Sequence, residues 1–85
     1  MRIYLGKTGL KETYQEKFPE IVKCNKCKSE SRIMFVGIEK GKEKQWICNL
    51  HENQKDGKYW VHDAIAYAVY LCSRCFEPNI RLNHA

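Results

Sequence analysis

The sequence predicts a small, metal-stapled, mostly β domain with a short N-terminal helix, and three observations carry that expectation. Two C-x-x-C pairs, Cys24 with Cys27 and Cys72 with Cys75, take four of the chain's five cysteines. The chain has only 85 residues, and one that short buries too little apolar surface to be comfortably stable on its core alone. The stretches around the cysteine pairs are rich in β-branched and aromatic residues, such as Ile33, Phe35, Val36 and Ile38, which suit a pleated, half-buried surface.

The cysteine spacing points to the staple. Two intervening residues let the chain turn back so that both sulfurs point the same way, and two such hooks supply the four tetrahedral thiolates that Zn²⁺ favours. A disulfide framework is the competing staple. The odd cysteine count and the start Met1-Arg2-Ile3-Tyr4-Leu5-Gly6, which has no apolar run of signal-peptide length, argue against it. The expected setting is therefore reducing and cytoplasmic, where paired C-x-x-C motifs mean metal or redox chemistry. No stretch approaches the roughly twenty apolar residues of a membrane span.

The formal charge is +5 with every cysteine neutral, and four thiolates around one divalent ion reduce it to about +3. Lys23, Lys26, Lys28 and Arg74 lie at or beside the hooks. There they offset a negative metal centre and keep the thiolates deprotonated. A nucleic-acid surface is the alternative use of these charges. Acidic residues are interspersed along the whole chain and no long basic run occurs, which favours the first use.

One domain spans residues 1–85, divided into an N-terminal extension, 1–20, a metal-bound β core, 21–77, and a tail, 78–85. The extension reads as a strand-like start at 2–5, a turn at 6–9 and a brief helix with Leu10, Tyr14 and Phe18 four apart on one face. Pro19 stops it. Residues 20–23 then lead, extended, into the first hook. Strands are expected at 31–39 and at 44–50, joined by a hairpin loop in which Gly41 can take positive φ. A polar excursion at 51–58 ends in the turn signal Asp56-Gly57. Residues 59–71 alternate, with Ile65, Tyr67, Val69 and Leu71 on one side and Ala64, Ala66, Ala68 and Tyr70 on the other. The alanines also suit a helix. A strand over at least 66–71 delivers the chain extended into the second hook. Pro78 and the polar residues after it read as a tail, and no internal repeat is apparent.

With a hook, a hairpin, an excursion, a further strand and a second hook, the chain resembles the zinc-ribbon and rubredoxin-like group of small metal-bound β domains over residues 22–76. The resemblance implies that Cys24, Cys27, Cys72 and Cys75 jointly hold one ion, zinc in a structural role or iron in an electron-transfer role. In that group a glycine commonly follows the second cysteine of each knuckle, whereas this chain has Lys28 and Phe76 there. The stretch from Trp60 to Cys75 also resembles small bacterial proteins of uncharacterised function, which implies no activity.

Other candidates are weaker. Cys48 and His51 form a C-x-x-H pair that could complete a second zinc site with His62 and Asp63. Cys48 alternates with Trp46 and Leu50, however, as a buried small hydrophobe would. His62 and Asp63 are adjacent, so on a strand they point to opposite faces and form no acid-base dyad. His84 lies in the tail. The aromatic residues Trp46, Trp60, Tyr67 and Phe35 are expected in the core, with Tyr59 and Tyr70 as exceptions available for contacts.

A closed four-thiolate shell leaves a metal without the open position that hydrolysis needs. The expected function is therefore a non-catalytic zinc module presenting a surface to a protein partner. Weak, sequence-indifferent nucleic-acid binding, iron-based electron transfer and thiol redox chemistry are the alternatives. The last is disfavoured because no convincing helix follows either hook.

Overall fold

The structure is a computed structural model, and it describes residues 1–39 and 65–84. The strand expected at 44–50, its hairpin loop and the excursion at 51–58 lie outside the described residues, and so do Trp46, Cys48, His51, Tyr59, Trp60, His62 and Asp63.

The described residues form one antiparallel sheet of five strands: β1 (Arg2–Leu5), β2 (Ile21–Lys23), β3 (Glu30–Ile38), β4 (Ile65–Cys72) and β5 (Pro78–His84). The order is β1-β3-β4-β5, with β2 also paired to β3. Since β4 occupies one edge of β3, β1 and β2 share the other. Leu5 pairs with Phe35 and Ile21 with Arg32, so β1 and β2 run in line as one edge strand interrupted by residues 6–20. The interruption falls at a bulge in β3 between Ile33 and Phe35, where an extra residue breaks the ladder.

Residues 6–20 leave the edge and fold over one sheet face. Gly6 begins the departure at φ +58°, and a single 3-10 turn, Gly6–Gly9, follows. A Cβ on Gly9 would lie 2.6 Å from Tyr4 Cβ and 2.9 Å from Val36 Cβ, so only glycine lets the turn sit this close to the sheet. The helix expected after it is absent. Phe18 N–H donates instead to the Leu10 carbonyl at 2.9 Å, closing a loop whose ends meet. Leu10 and Phe18 are still buried, and Tyr14 packs against them. The apolar spacing marked core residues correctly. Without a supporting run of helical hydrogen bonds, though, sheet contacts override so short a helix.

The core is this loop against the inner sheet face, where Val22, Val36, Ile38, Ala66, Ala68 and Tyr70 are buried. Several sequence expectations are corrected here: Phe35 and Tyr67, expected in the core, are half-buried on the opposite sheet face, paired with Val69 and Gly37. Tyr70 is fully buried, its hydroxyl donating to the Pro19 carbonyl at 2.6 Å. The alanine face of β4 is the inner face, because small side chains at 66 and 68 leave room for the loop residues above them. Residues 78–84 are no tail either: β5 pairs with β4 from Leu71↔Pro78 to Ile65↔His84. It also holds the loop, through Tyr14 N–H to Asn83 Oδ1 at 3.2 Å and Gln15 Nε2 to the His84 carbonyl at 2.8 Å.

Candidate metal centre

Each hook lies at the turn of a hairpin, the first between β2 and β3 and the second between β4 and β5. The hairpins match bond for bond. Cys24 N–H donates to the Ser29 carbonyl at 2.7 Å and Cys72 N–H to the Glu77 carbonyl at 3.0 Å. Lys28 N–H returns to the Cys24 carbonyl at 3.1 Å, as Phe76 N–H does to the Cys72 carbonyl at 3.1 Å. The strand registers correspond as well: Ile21↔Arg32, Val22↔Ser31 and Lys23↔Glu30 become Val69↔Ile80, Tyr70↔Asn79 and Leu71↔Pro78. This is a structural repeat. Beyond the cysteines its matched positions share little residue identity, which hid it in the sequence.

The repeat explains the missing glycines. Lys28 and Phe76 have φ +67° and +61° and are the only non-glycine residues with positive φ among those described. Each hook needs a left-handed residue just after its second cysteine to bring the chain back to the sheet. That conformation costs a side-chain-bearing residue roughly 1–2 kcal/mol. The knuckle geometry is therefore present in both hooks, at the cost of local strain.

The four sulfurs converge. The Sγ atoms of Cys24, Cys27, Cys72 and Cys75 all lie within 4.8 Å of one another. Across the hooks, Cys24 and Cys75 are 3.7 Å apart and Cys27 and Cys72 3.4 Å. A tetrahedron with Zn–S bonds of about 2.3 Å has sulfur-to-sulfur edges of about 3.8 Å, so the cluster has the dimensions to hold one ion. Cys24 and Cys72 are buried and Cys27 and Cys75 half-buried. Backbone N–H groups point at the sulfurs, with Lys26 3.4 Å from Cys24 Sγ and Arg74 3.4 Å and Cys75 3.5 Å from Cys72 Sγ. Such donors favour thiolates.

The thiols divide in acidity. The Cys27 N–H, followed by the Lys26 N–H and the Asn79 and Cys75 side chains, holds Cys24 down to about 6 against the opposing effect of burial. Cys27 is lowered by the backbone N–H and then the hydroxyl of Ser29. The Glu77 N–H favours the Cys75 thiolate, but burial and the sulfurs of Cys27, Cys72 and Cys24 outweigh it and push Cys75 up to about 12. Four thiolates this close repel one another, and a divalent cation between them removes that repulsion.

Asn79 is the positioning residue that the sequence did not single out. Buried between the hooks, it accepts from Asn25 N–H at 3.0 Å and donates to Ser31 Oγ at 2.9 Å and to the Glu77 carbonyl at 3.2 Å. Ser73 makes the reciprocal tie, its N–H and its hydroxyl each 3.1 Å from the Glu30 carbonyl. The only sequence signal was position, since Asn79 stands in its hairpin where Ser31 stands in the other. Lys23, Lys26, Lys28 and Arg74 are exposed around the hooks, while His84 lies at the far end of β5 and joins no cluster among the described residues.

No family model, curated protein or solved structure matches this chain. Among the described residues, no helix is long and apolar enough to cross a membrane.

Proposed function

We propose that the chain is a non-catalytic module in which Cys24, Cys27, Cys72 and Cys75 close around one structural zinc ion and the fastened sheet serves as an interaction surface for protein. The observation that carries this reading is the mutual approach of all four sulfurs within 4.8 Å. Each hook is the turn of a different hairpin, so an ion there fastens together halves of the fold that are distant in sequence. Four protein ligands complete a tetrahedron and leave zinc no position for water or substrate. The thiolates require a reducing compartment, in keeping with a cytoplasmic setting. Native mass spectrometry with elemental analysis is the test. One zinc per chain, lost on replacing any of the four cysteines with serine, supports the proposal. Bound iron with visible colour would favour electron transfer, and a reversible disulfide without metal would favour thiol redox chemistry.

A second reading has some support. Exposed Lys26, Lys28 and Arg74 surround the hooks, and Phe76 is 69% exposed beside them. Cations with a free aromatic ring suit single-stranded nucleic acid. A net charge of about +3 allows few phosphate contacts, so that binding should be weak and vanish near physiological salt. Oligonucleotide titration at two salt concentrations tests it.

A further inference from the structure

The repeat sets the four sulfurs in two equivalent pairs. Cys24 Sγ lies 3.7 Å from Cys75 Sγ, and Cys72 Sγ 3.4 Å from Cys27 Sγ. In each pair the first cysteine of one hook meets the second cysteine of the other. Among the described residues, both sulfur-to-sulfur hydrogen bonds therefore cross between the hooks. Within each hook the first sulfur is held by a backbone N–H instead, Lys26 on Cys24 and Arg74 on Cys72. The first cysteines are buried and the second half-buried, so each pair combines a sulfur open to a small oxidant with one directly behind it.

The geometry points to a peroxide-sensitive switch: hydrogen peroxide converts the zinc-loaded hooks into two cross-hook disulfides, Cys27 with Cys72 and Cys24 with Cys75, and frees the ion while the sheet stays folded. This inference deepens the proposed zinc module and rests on it. A sulfur that ligates zinc is a thiolate, and accessible thiolates are the ones that peroxide oxidises. Cys27 Sγ attacks one peroxide oxygen, the O–O bond breaks, and the hydroxide that leaves takes up a proton to become water. The Cys72 thiolate then attacks Cys27 Sγ. The S–S bond forms, the S–O bond breaks, and the second oxygen also leaves as hydroxide and is protonated to water. Cys75 and Cys24 react in the same way. In total, four thiolates give up one electron each, two peroxides and four protons become four waters, and Zn²⁺ leaves because no thiolate remains to hold it.

The cross-links replace the ion as the fastening between hairpins. Their cysteines are 45 and 51 residues apart in sequence, and cross-links that close long loops restrain the unfolded chain most. Disulfides inside the hooks would close only short turns and leave β2–β3 unattached to β4–β5. Oxidation also changes the charge. The zinc-loaded chain carries about +3, and with every cysteine neutral the chain returns to +5. Exposed Lys26, Lys28 and Arg74 stand around the hooks, so the surface that they frame becomes more positive in the oxidised state.

The test adds hydrogen peroxide in steps to the reduced, zinc-loaded chain and to its Cys48→Ala variant, with a chromophoric chelator reporting the zinc released. In Cys48→Ala one zinc should be freed for every two peroxides consumed. The metal-free product should keep a cooperative thermal transition by circular dichroism and lose it when a thiol reductant is added with chelator present. Trypsin cuts after Lys26 and Arg74, between the two cysteines of each hook, so unreduced peptide maps read the linkage directly. In both chains they should join Cys27 to Cys72 and Cys24 to Cys75. Links inside a hook, a link to Cys48, or a released-zinc product without a cooperative transition overturn the inference. Zinc that stays bound in excess peroxide, or sulfurs oxidised without forming disulfides, overturn it as well. All of these results leave the zinc module standing. A reduced chain that takes up no zinc refutes that module before any peroxide is added, and the switch with it.

Discussion

Lys28 and Phe76 adopt the left-handed conformation that glycine occupies without strain, so the hooks carry a removable cost. Replacing either with glycine should stabilise the zinc-loaded protein by about 0.5–1 kcal/mol, the relief of strain exceeding the extra freedom that glycine gives the unfolded chain. Thermal melting of Lys28→Gly and Phe76→Gly checks this, and a lower melting temperature in both would contradict the knuckle geometry. Asn79 makes the opposite case. Asn79→Ala removes the acceptor of the Asn25 N–H and leaves the buried Ser31 hydroxyl without this partner, at a cost of about 1–3 kcal/mol. Because the Asn79 side chain also stabilises the Cys24 thiolate, the variant should bind zinc more weakly. Competition with a chromophoric chelator measures that, and an unchanged zinc affinity would show that Asn79 only joins the hairpins.

At the scale of elements, β5 separates the sequence reading from the structure. As a polar tail, residues 78–85 would be dispensable. As a strand they satisfy the open edge of β4, carry Asn79 to the hooks and hold the loop through Asn83 and His84. Ending the chain after Glu77 should therefore abolish the cooperative thermal transition followed by circular dichroism, even with zinc in excess. The lost contacts rival the few kcal/mol by which a small domain is stable. A truncated chain that still melts sharply would return these residues to the status of a tail. The extended segments expected at 2–5, 20–23, 31–39 and 66–71 correspond to β1 to β4, and they were legible because β-branched and aromatic residues are concentrated in them. β5 was not, because its inner face carries the polar Asn79, Arg81 and Asn83 while the apolar Ile80 and Leu82 face outward, the reverse of the apolar-in, polar-out alternation that marks a half-buried strand.

At the scale of the whole molecule, two hairpins bring together four cysteines that could hold a metal ion, and the pH response of that cluster follows from the acidity of the thiols. In the metal-free cluster Cys24 sits at about 6 and Cys75 near 12. At neutral pH Cys24 is thus already a thiolate, and zinc must displace the proton from Cys75. Calorimetry in buffers of different ionisation enthalpy should show fewer than four protons released per zinc at pH 7. The number should rise as pH falls through about 6, where Cys24 becomes protonated. The sign is fixed: a thiol lowered in the folded state contributes stability above its ordinary pKa, and that contribution is lost as pH falls through the lowered value. Acid should accordingly weaken zinc binding. A proton count that does not change between pH 7 and pH 5 would contradict the division of acidity among the sulfurs.

The sequence by itself determined which four cysteines come together and most of the strands among the described residues. A C-x-x-C hook is a local device whose geometry depends on two intervening residues, and β-branched runs declare a strand without reference to the rest of the chain. Only the tertiary structure decided which face of β4 is buried, that residues 10–18 form a loop, that Asn79 ties the hooks and that the hairpins repeat. Each of these depends on a partner distant in the chain: Tyr70 on the Pro19 carbonyl, Phe18 on the inner sheet face, and Asn79 on Asn25 and Ser31. Alternation along a strand states that two faces differ. Which one meets the core is settled by the element that folds over it, here a loop brought close by Gly9.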